Sequence, residues 1–274
     1  MQPATVMTIA GSDSGGGAGL QADLKAFALN GVFGTSVVTV LTAQNSAEIR
    51  AIEKVPAAFV QSQLDAVLAD LPVAAVKTGM LASEETVRTV AANVARLPNL
   101  VVDPVLVSSD GVKLFPSTVD RAYIEGLFPH AAVITPNLRE ASMLTGRTIV
   151  SDDDMAAAAT ELAATGAGCV VVKGGGRPGV EAVDAVWHDG TVRFLRSPWV
   201  ETSNNHGTGC TFAATTAALL AQRVPVPQAL DGAKRYVQAA IERAAAWHIG
   251  AGHGPLGWPA AQDDHDAPRA AADH

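Results

Sequence analysis

Short apolar runs rich in β-branched residues recur along this chain, and each is followed by a stretch of helical periodicity. Residues 6–10, 35–42, 74–77, 100–104, 132–135 and 170–173 read as strands. Residues 20–29, 56–71, 84–97, 119–127 and 151–165 read as helices between them. Parallel neighbours need a crossover connection, and a helix is the usual one. The alternation therefore predicts an α/β fold, a central, mostly parallel β-sheet flanked by helices. One exception is Asp189-Gly190 between 183–188 and 191–195, a hairpin signal that inserts an antiparallel pair. Two helices follow, 212–221 and about 226–249.

No repeat and no interdomain linker breaks the 274 residues, so one domain over 1–250 is expected. Residues 251–274 turn to Gly, Pro, Asp, His and Ala and read as a poorly ordered tail. A net charge of −8 gives no basic footprint for nucleic acid or an anionic membrane. Phosphate binding by so acidic a chain must be local, through backbone amides and a few lysines. The two cysteines, Cys169 and Cys210, form no disulfide framework and no zinc spacing. The N-terminus has no basic region ahead of its apolar run, and no apolar run reaches ~18 residues. These features lead us to expect a cytoplasmic protein.

Ligands of open parallel sheets bind beyond the C-terminal strand ends, and these ends carry the polar residues. After the first strand comes the glycine loop 11–19, through which a ligand can approach the backbone closely. Its glycines lack the phase of a dinucleotide fingerprint and the Gly-Lys-Ser/Thr end of a P-loop, which argues against a nicotinamide-dependent dehydrogenase. Gln44-Asn45 ends the second strand. A side-chain amide there suits a heteroaromatic ring edge, and equally a turn. Asp103 ends its strand as a metal ligand or a turn residue. Asn137 and Glu140 pair either as a capping box or as a magnesium-phosphate contact. Lys173 is a nucleotide contact or a solvated lysine.

His206-Gly207-Thr208-Gly209-Cys210-Thr211 carries the sharpest signal. Gly-x-Gly before a helix aims successive N–H groups at one spot, where the helix dipole also favours an anion. Cys210 stands at the helix start, where a thiol pKa tends to fall. An anion cradle beside a base is what phosphoryl transfer needs; a plain helix start with a small buried Cys is the structural alternative.

In order, Thr8–Gly19, Gln21–Lys25, Leu41–Asn45, Val76–Leu81, Val102–Val105, Ile134–Asn137, Val172–Gly175 and His206–Thr211 resemble the hydroxymethylpyrimidine/phosphomethylpyrimidine kinases of thiamine biosynthesis. That family lies in the ribokinase-like superfamily, and the resemblance spans about residues 5–245. It implies transfer of the ATP γ-phosphoryl to a pyrimidine hydroxymethyl group, then to the monophosphate. It implies Cys210 as base, in a thiolate accessible near neutral pH, with amides of Gly207, Thr208, Gly209 and Cys210 around the transferring group. Gln44, Gly11, Met80, Val107 and Asp23 are implied around the pyrimidine. Lys173, Asn137, Thr211 and Lys234 are implied at the nucleotide, Glu140 and Asp103 at Mg²⁺, and a homodimer as the assembly. Two positions depart from the pattern: Gly176 where the family commonly has His, and Asn205 where it usually has Thr. A pyridoxal kinase of the same superfamily and a non-catalytic pyrimidine sensor are the alternatives.

Overall fold

The computed structural model describes residues 2–107, 115–175, 179 and 181–259. The elements run β1 (Thr5–Asp13), α1 (Gly19–Leu29), β2 (Phe33–Gln44), β3 (Ile49–Lys54), α2 (Ala57–Asp70), β4 (Val73–Thr78), α3 (Glu84–Ala91) and β5 (Leu100–Val102). They continue with α4 (Ser117–Gly126), β6 (Val133–Ile134), α5 (Leu138–Thr145), α6 (Asp152–Ala163), β7 (Cys169–Lys173), β8 (Glu181–His188), β9 (Thr191–Pro198), α7 (Thr208–Ala221) and α8 (Val226–Ala244).

One nine-stranded sheet has the order β3-β2-β1-β4-β5-β6-β7-β8-β9. The strands from β2 to β7 are parallel, while β3, β8 and β9 pair antiparallel. The period-2 alternation of a strand sends neighbouring residues to opposite faces. Met7, Ile9, Val76, Val102, Ile134, Val170 and Val172 pack in one core with residues of α2 to α6. Val6, Ala75, Val101, Val133, Cys169 and Val171 pack in the other, with α1, α7 and α8. Both faces are therefore covered, which is why these strands read as unbroken apolar runs. β1 pairs with β2 on one side and β4 on the other. The chain winds away from it in both directions and opens a crevice at its C-terminal end.

Several boundaries differ from the sequence reading. β3 went unread because all six of its residues are exposed and nothing alternates. α3 stops at Ala91, where the Asn93 amide bonds the Thr89 carbonyl and Gln61 instead of continuing the helix. The last long helix, α8, ends at Ala244. Residues 251–259, assigned by composition to a poorly ordered tail, lie packed on the body, with Leu256 wholly buried. Residues 260–274 lie outside the described residues, as do 108–111 and Gly176.

Candidate active site

Gly207 begins the site. It holds φ at 85°, and a Cβ on it would lie 1.9 Å from the Gly17 carbonyl oxygen. Only glycine fits that combination of left-handed backbone and contact. It brings the glycine loop after β1 against the start of α7. Thr208 Oγ1 donates to the Asn205 carbonyl at 2.6 Å and closes the turn. The amides of Gly209 and Cys210 are among those that a helix N-terminus leaves without intrahelical partners.

Asp13 organises the glycine loop. Its Oδ1 accepts from the Gly15 amide, and its Oδ2 from the amides of Gly17 and Ala18. His206 Nε2 stands 2.9 Å from the same Oδ2. Burial works to raise the Asp13 pKa, but the bonds from His206, Ala18 and Gly15 outweigh it and hold the carboxyl below its usual value. His206 Nε2 is also 3.3 Å from the Gln44 side-chain amide, so the HGTGC turn, the glycine loop and the end of β2 meet at one imidazole.

Beneath the thiol lies a buried ion pair. Lys77 Nζ is 2.8 Å from Asp23 Oδ2, and neither side chain has any exposure. Thr8 Oγ1 donates to that oxygen at 2.6 Å, while Asp23 Oδ1 has no hydrogen-bond partner among the described residues. Burial pushes the Cys210 thiol up to about 11, Lys77 pulls it down, and Asp23 and Asp103 push it up again. The expectation of a lowered thiol is therefore corrected. The helix start is half-buried on the cavity wall, and two nearby carboxylates oppose the one lysine.

On the far side of Gly209, Lys173 Nζ bonds Asp103 Oδ1 at 2.7 Å, and Thr135 Oγ1 donates to the same atom. A Cβ on Gly209 would stand 2.9 Å from Lys173 Nζ and 3.7 Å from Asp103 Oδ2. Glu140 is 3% exposed. Its Oε1 accepts from the Leu106 amide and its Oε2 from the Asn137 amide, while Asn137 Oδ1 accepts from the Glu140 amide. The capping box is thus real, and it holds a buried carboxyl beside the cavity. Burial raises the Glu140 pKa, Lys173 lowers it and Asp103 raises it, leaving it at about 7. Lys234 on α8 bonds Asp184 Oδ2 at 2.8 Å.

These groups open on one cavity of about 610 Å³, a volume typical of small-molecule sites. Gly11, Gln44, Met80, Val107, Lys77, His206 and Cys210 line it. Asn137, Glu140, Asp103, Lys173, Asp184, Lys234, Gly207, Thr208 and Gly209 line it as well. Two expected site residues stand elsewhere. Asp23 is fully buried behind the cavity and reaches it only through Lys77. Thr211 is fully buried, and its Oγ1 accepts from Trp258 Nε1 at 3.1 Å. It faces away from the cavity because four residues after N-cap Gly207, one beyond Cys210, the helix has turned inward.

Lys77, Asp13 and Asp184 were not picked out as site residues. Lys77 had a signal, a lysine inside an apolar strand, which is rarely buried unless paired. Asp184 had none, because its partner Lys234 is on a helix distant in sequence; Asp13 bonds the nearby amides of Gly15, Gly17 and Ala18, and only its link to His206 is distant.

The fold and site together define a small-molecule kinase of the ribokinase-like class: an open α/β sheet with an anion cradle and a lysine-lined cavity at its strand ends. Comparison makes this specific. The family model for phosphomethylpyrimidine kinase matches residues 13–257. A hydroxymethylpyrimidine/phosphomethylpyrimidine kinase of Rhizobium meliloti is 48% identical over 255 residues, 92% of this chain and 96% of its own length. The solved phosphomethylpyrimidine kinase from Clostridium difficile superposes with a TM-score of 0.77 at 37% identity, over 87% of this chain and 99% of that one. A pyridoxal kinase from Staphylococcus aureus, in complex with AMP-PCP and pyridoxal, superposes with a TM-score of 0.87 at 33% identity over 96% of each chain. The chain belongs to the phosphomethylpyrimidine kinase family.

Proposed function

We propose that this chain phosphorylates 4-amino-5-hydroxymethyl-2-methylpyrimidine with ATP and then converts the monophosphate to the diphosphate, in thiamine biosynthesis. The observation that supports the reading is that Cys210, its anion cradle, Gln44, Met80, Lys173 and Lys234 line one cavity, with Gln44 against His206 and Lys173 against Gly209. Gln44 pairs with the aminopyrimidine edge, and Gly11, Met80 and Val107 pack on the ring. Lys173 and Lys234 meet the nucleotide phosphates. The amides of Gly209 and Cys210 hold the transferring phosphoryl oxygens, where preorganised donors act most strongly.

In phosphoryl transfer the protein chiefly positions the reactants and stabilises charge. As the hydroxyl oxygen bonds to phosphorus and the bond to the leaving ADP oxygen breaks, the hydroxyl proton passes to the Cys210 sulfur. Cys210 accepts it only after releasing its own proton. The Lys77 ammonium lowers the cost of that ionisation, and the nearby carboxylates raise it.

Asp103 and Glu140 are the proposed holders of Mg²⁺. Two carboxylates, with no larger cluster of His, Cys, Asp and Glu among the described residues, fit an ion bound mainly by water and phosphate. The space that a Gly209 Cβ would fill, 3.7 Å from Asp103 Oδ2, is where phosphate and ion would approach. When bound, the ion neutralises charge on the β- and γ-phosphates. A cytoplasmic homodimer completes the proposal. Ile49 and Ile52 on the edge strand β3 lie on one face of the sheet and are 42–43% exposed, apolar surface that a second copy would cover.

Mass spectrometry of products from Mg-ATP with the pyrimidine alcohol, its monophosphate or pyridoxal tests the reading. The pyrimidine diphosphate from both pyrimidines is expected. Product from pyridoxal alone, or pyrimidine binding without turnover, would overturn it.

A further inference from the structure

The stretch Gly250-Ala-Gly-His-Gly-Pro-Leu-Gly-Trp258 has no part in the chemistry above, yet its packing is close. A Cβ on Gly250 would lie 2.1 Å from Ser46 Oγ, one on Gly252 2.1 Å from the Ser46 carbonyl, and one on Gly254 1.7 Å from Asn204 Oδ1. Alternate glycines thus let the backbone lie directly on two loops. The His253 amide donates to the Ser46 carbonyl, and the Gly254 amide to the Ser203 carbonyl. The Gly254 carbonyl accepts from the His206 amide at 3.1 Å. Ser46 follows the end of β2, which carries Gln44. His206 precedes the anion cradle. The segment therefore ties the proposed pyrimidine wall to the proposed phosphoryl wall.

Trp258 makes the last connection. Its indole Nε1 donates to Thr211 Oγ1 at 3.1 Å, one residue beyond Cys210. Its ring lies 4.4 Å from Lys25 Nζ, which itself donates to the Gly16 carbonyl at 2.7 Å. A cation over an indole face is attractive. One side chain thus joins the first turn of α7 to the glycine loop from outside, while Gly207 and Gly17 touch inside.

We propose that residues 250–258 form a clasp and that Trp258 is a positioning residue for Cys210 and the amides of the first turn of α7. It touches no substrate; it acts through Thr211 and Lys25. The kinetic consequence rests on the function proposed above, and the packing does not. A small displacement of reacting groups costs rate far more than it costs binding.

The test uses the full chain and the variants Trp258→Phe, Trp258→Ala, Thr211→Val and Trp258→Phe/Thr211→Val. Phe keeps a ring over Lys25 and removes the N–H, and Val keeps the shape of Thr and removes the acceptor. For pyrimidine phosphorylation, each single variant is expected to lower kcat about tenfold with KM changed less than about twofold, and the double variant to match the singles. The second readout is alkylation of Cys210 by iodoacetamide in the free protein, located by mass spectrometry. Trp258→Ala should speed it at least about threefold by loosening the turn that holds the half-buried thiol. Unchanged alkylation in Trp258→Ala overturns the clasp whatever the substrate. Additive losses in the double variant, or kcat unchanged in both Trp258 variants, overturn the positioning role. Wild-type protein that phosphorylates no pyrimidine overturns the functional reading and leaves the alkylation arm to decide the clasp.

Discussion

Lys77 Nζ stands 2.8 Å from Asp23 Oδ2 under the floor of the cavity, and neither side chain reaches solvent. Breaking a buried pair leaves an uncompensated charge. Lys77→Met is therefore expected to cost about 3–5 kcal/mol, read as a lower urea midpoint. Asp23→Asn does the opposite to the thiol: it removes a carboxylate that raises the Cys210 pKa and leaves the lysine beside the sulfur. Alkylation of Cys210 against pH should then titrate at lower pH than in the wild type.

The wild-type thiol itself sets a pH dependence. With the Cys210 pKa at about 11, the sulfur is protonated at neutral pH. The rate of its alkylation should climb about tenfold per pH unit from pH 7 to about 10. A plateau near pH 8 would contradict the half-buried, carboxylate-flanked setting of the sulfur. Stability moves the other way. The folded pKa lies above the ordinary thiol value of about 9.0, so this contribution is whole below about pH 9 and is lost as pH rises through about 11.

Two glycines of the same turn should behave differently. Gly207→Ala puts a Cβ 1.9 Å from a backbone oxygen at φ 85°, and neither the loop nor the helix can yield cheaply. Thermal denaturation should show a loss of about 1–3 kcal/mol or more, with activity lost as well. Gly209→Ala would be crowded only by the end of the Lys173 side chain, at 2.9 Å, with Asp103 Oδ2 at ordinary contact distance. Its melting temperature should stay near that of the wild type, while displacement of Lys173 and loss of the phosphate space lower kcat about 100-fold.

Gln44→Leu removes the amide proposed to pair with the pyrimidine edge. Steady-state kinetics should show KM for the pyrimidine alcohol raised about tenfold or more, with a smaller change in KM for ATP. An equal rise in both would place Gln44 outside the pyrimidine subsite.

Much of the site was legible before any coordinates because its parts are local. The capping box of Asn137 and Glu140, the hairpin at Asp189-Gly190 and the glycines ahead of α7 each depend on residues a few positions apart. Short-range spacing writes such features directly into sequence. β3 was not legible, because an edge strand exposed along its whole length carries no burial pattern. The clasp was not legible either. Its composition is that of a disordered tail, and its glycines are explained only by Ser46 and Asn204, which are far away in sequence.

By itself, then, the sequence determined the βα alternation, the strand ends that carry polar residues and the family to which they belong. Backbone propensity and apolar periodicity act over a few residues. The tertiary structure alone decided that Asp23 backs Lys77 rather than facing the cavity, that Thr211 turns inward to Trp258, and that the Cys210 thiol is raised rather than lowered. Burial and the sum of neighbouring charges set those outcomes, and both depend on which distant segments the fold brings together.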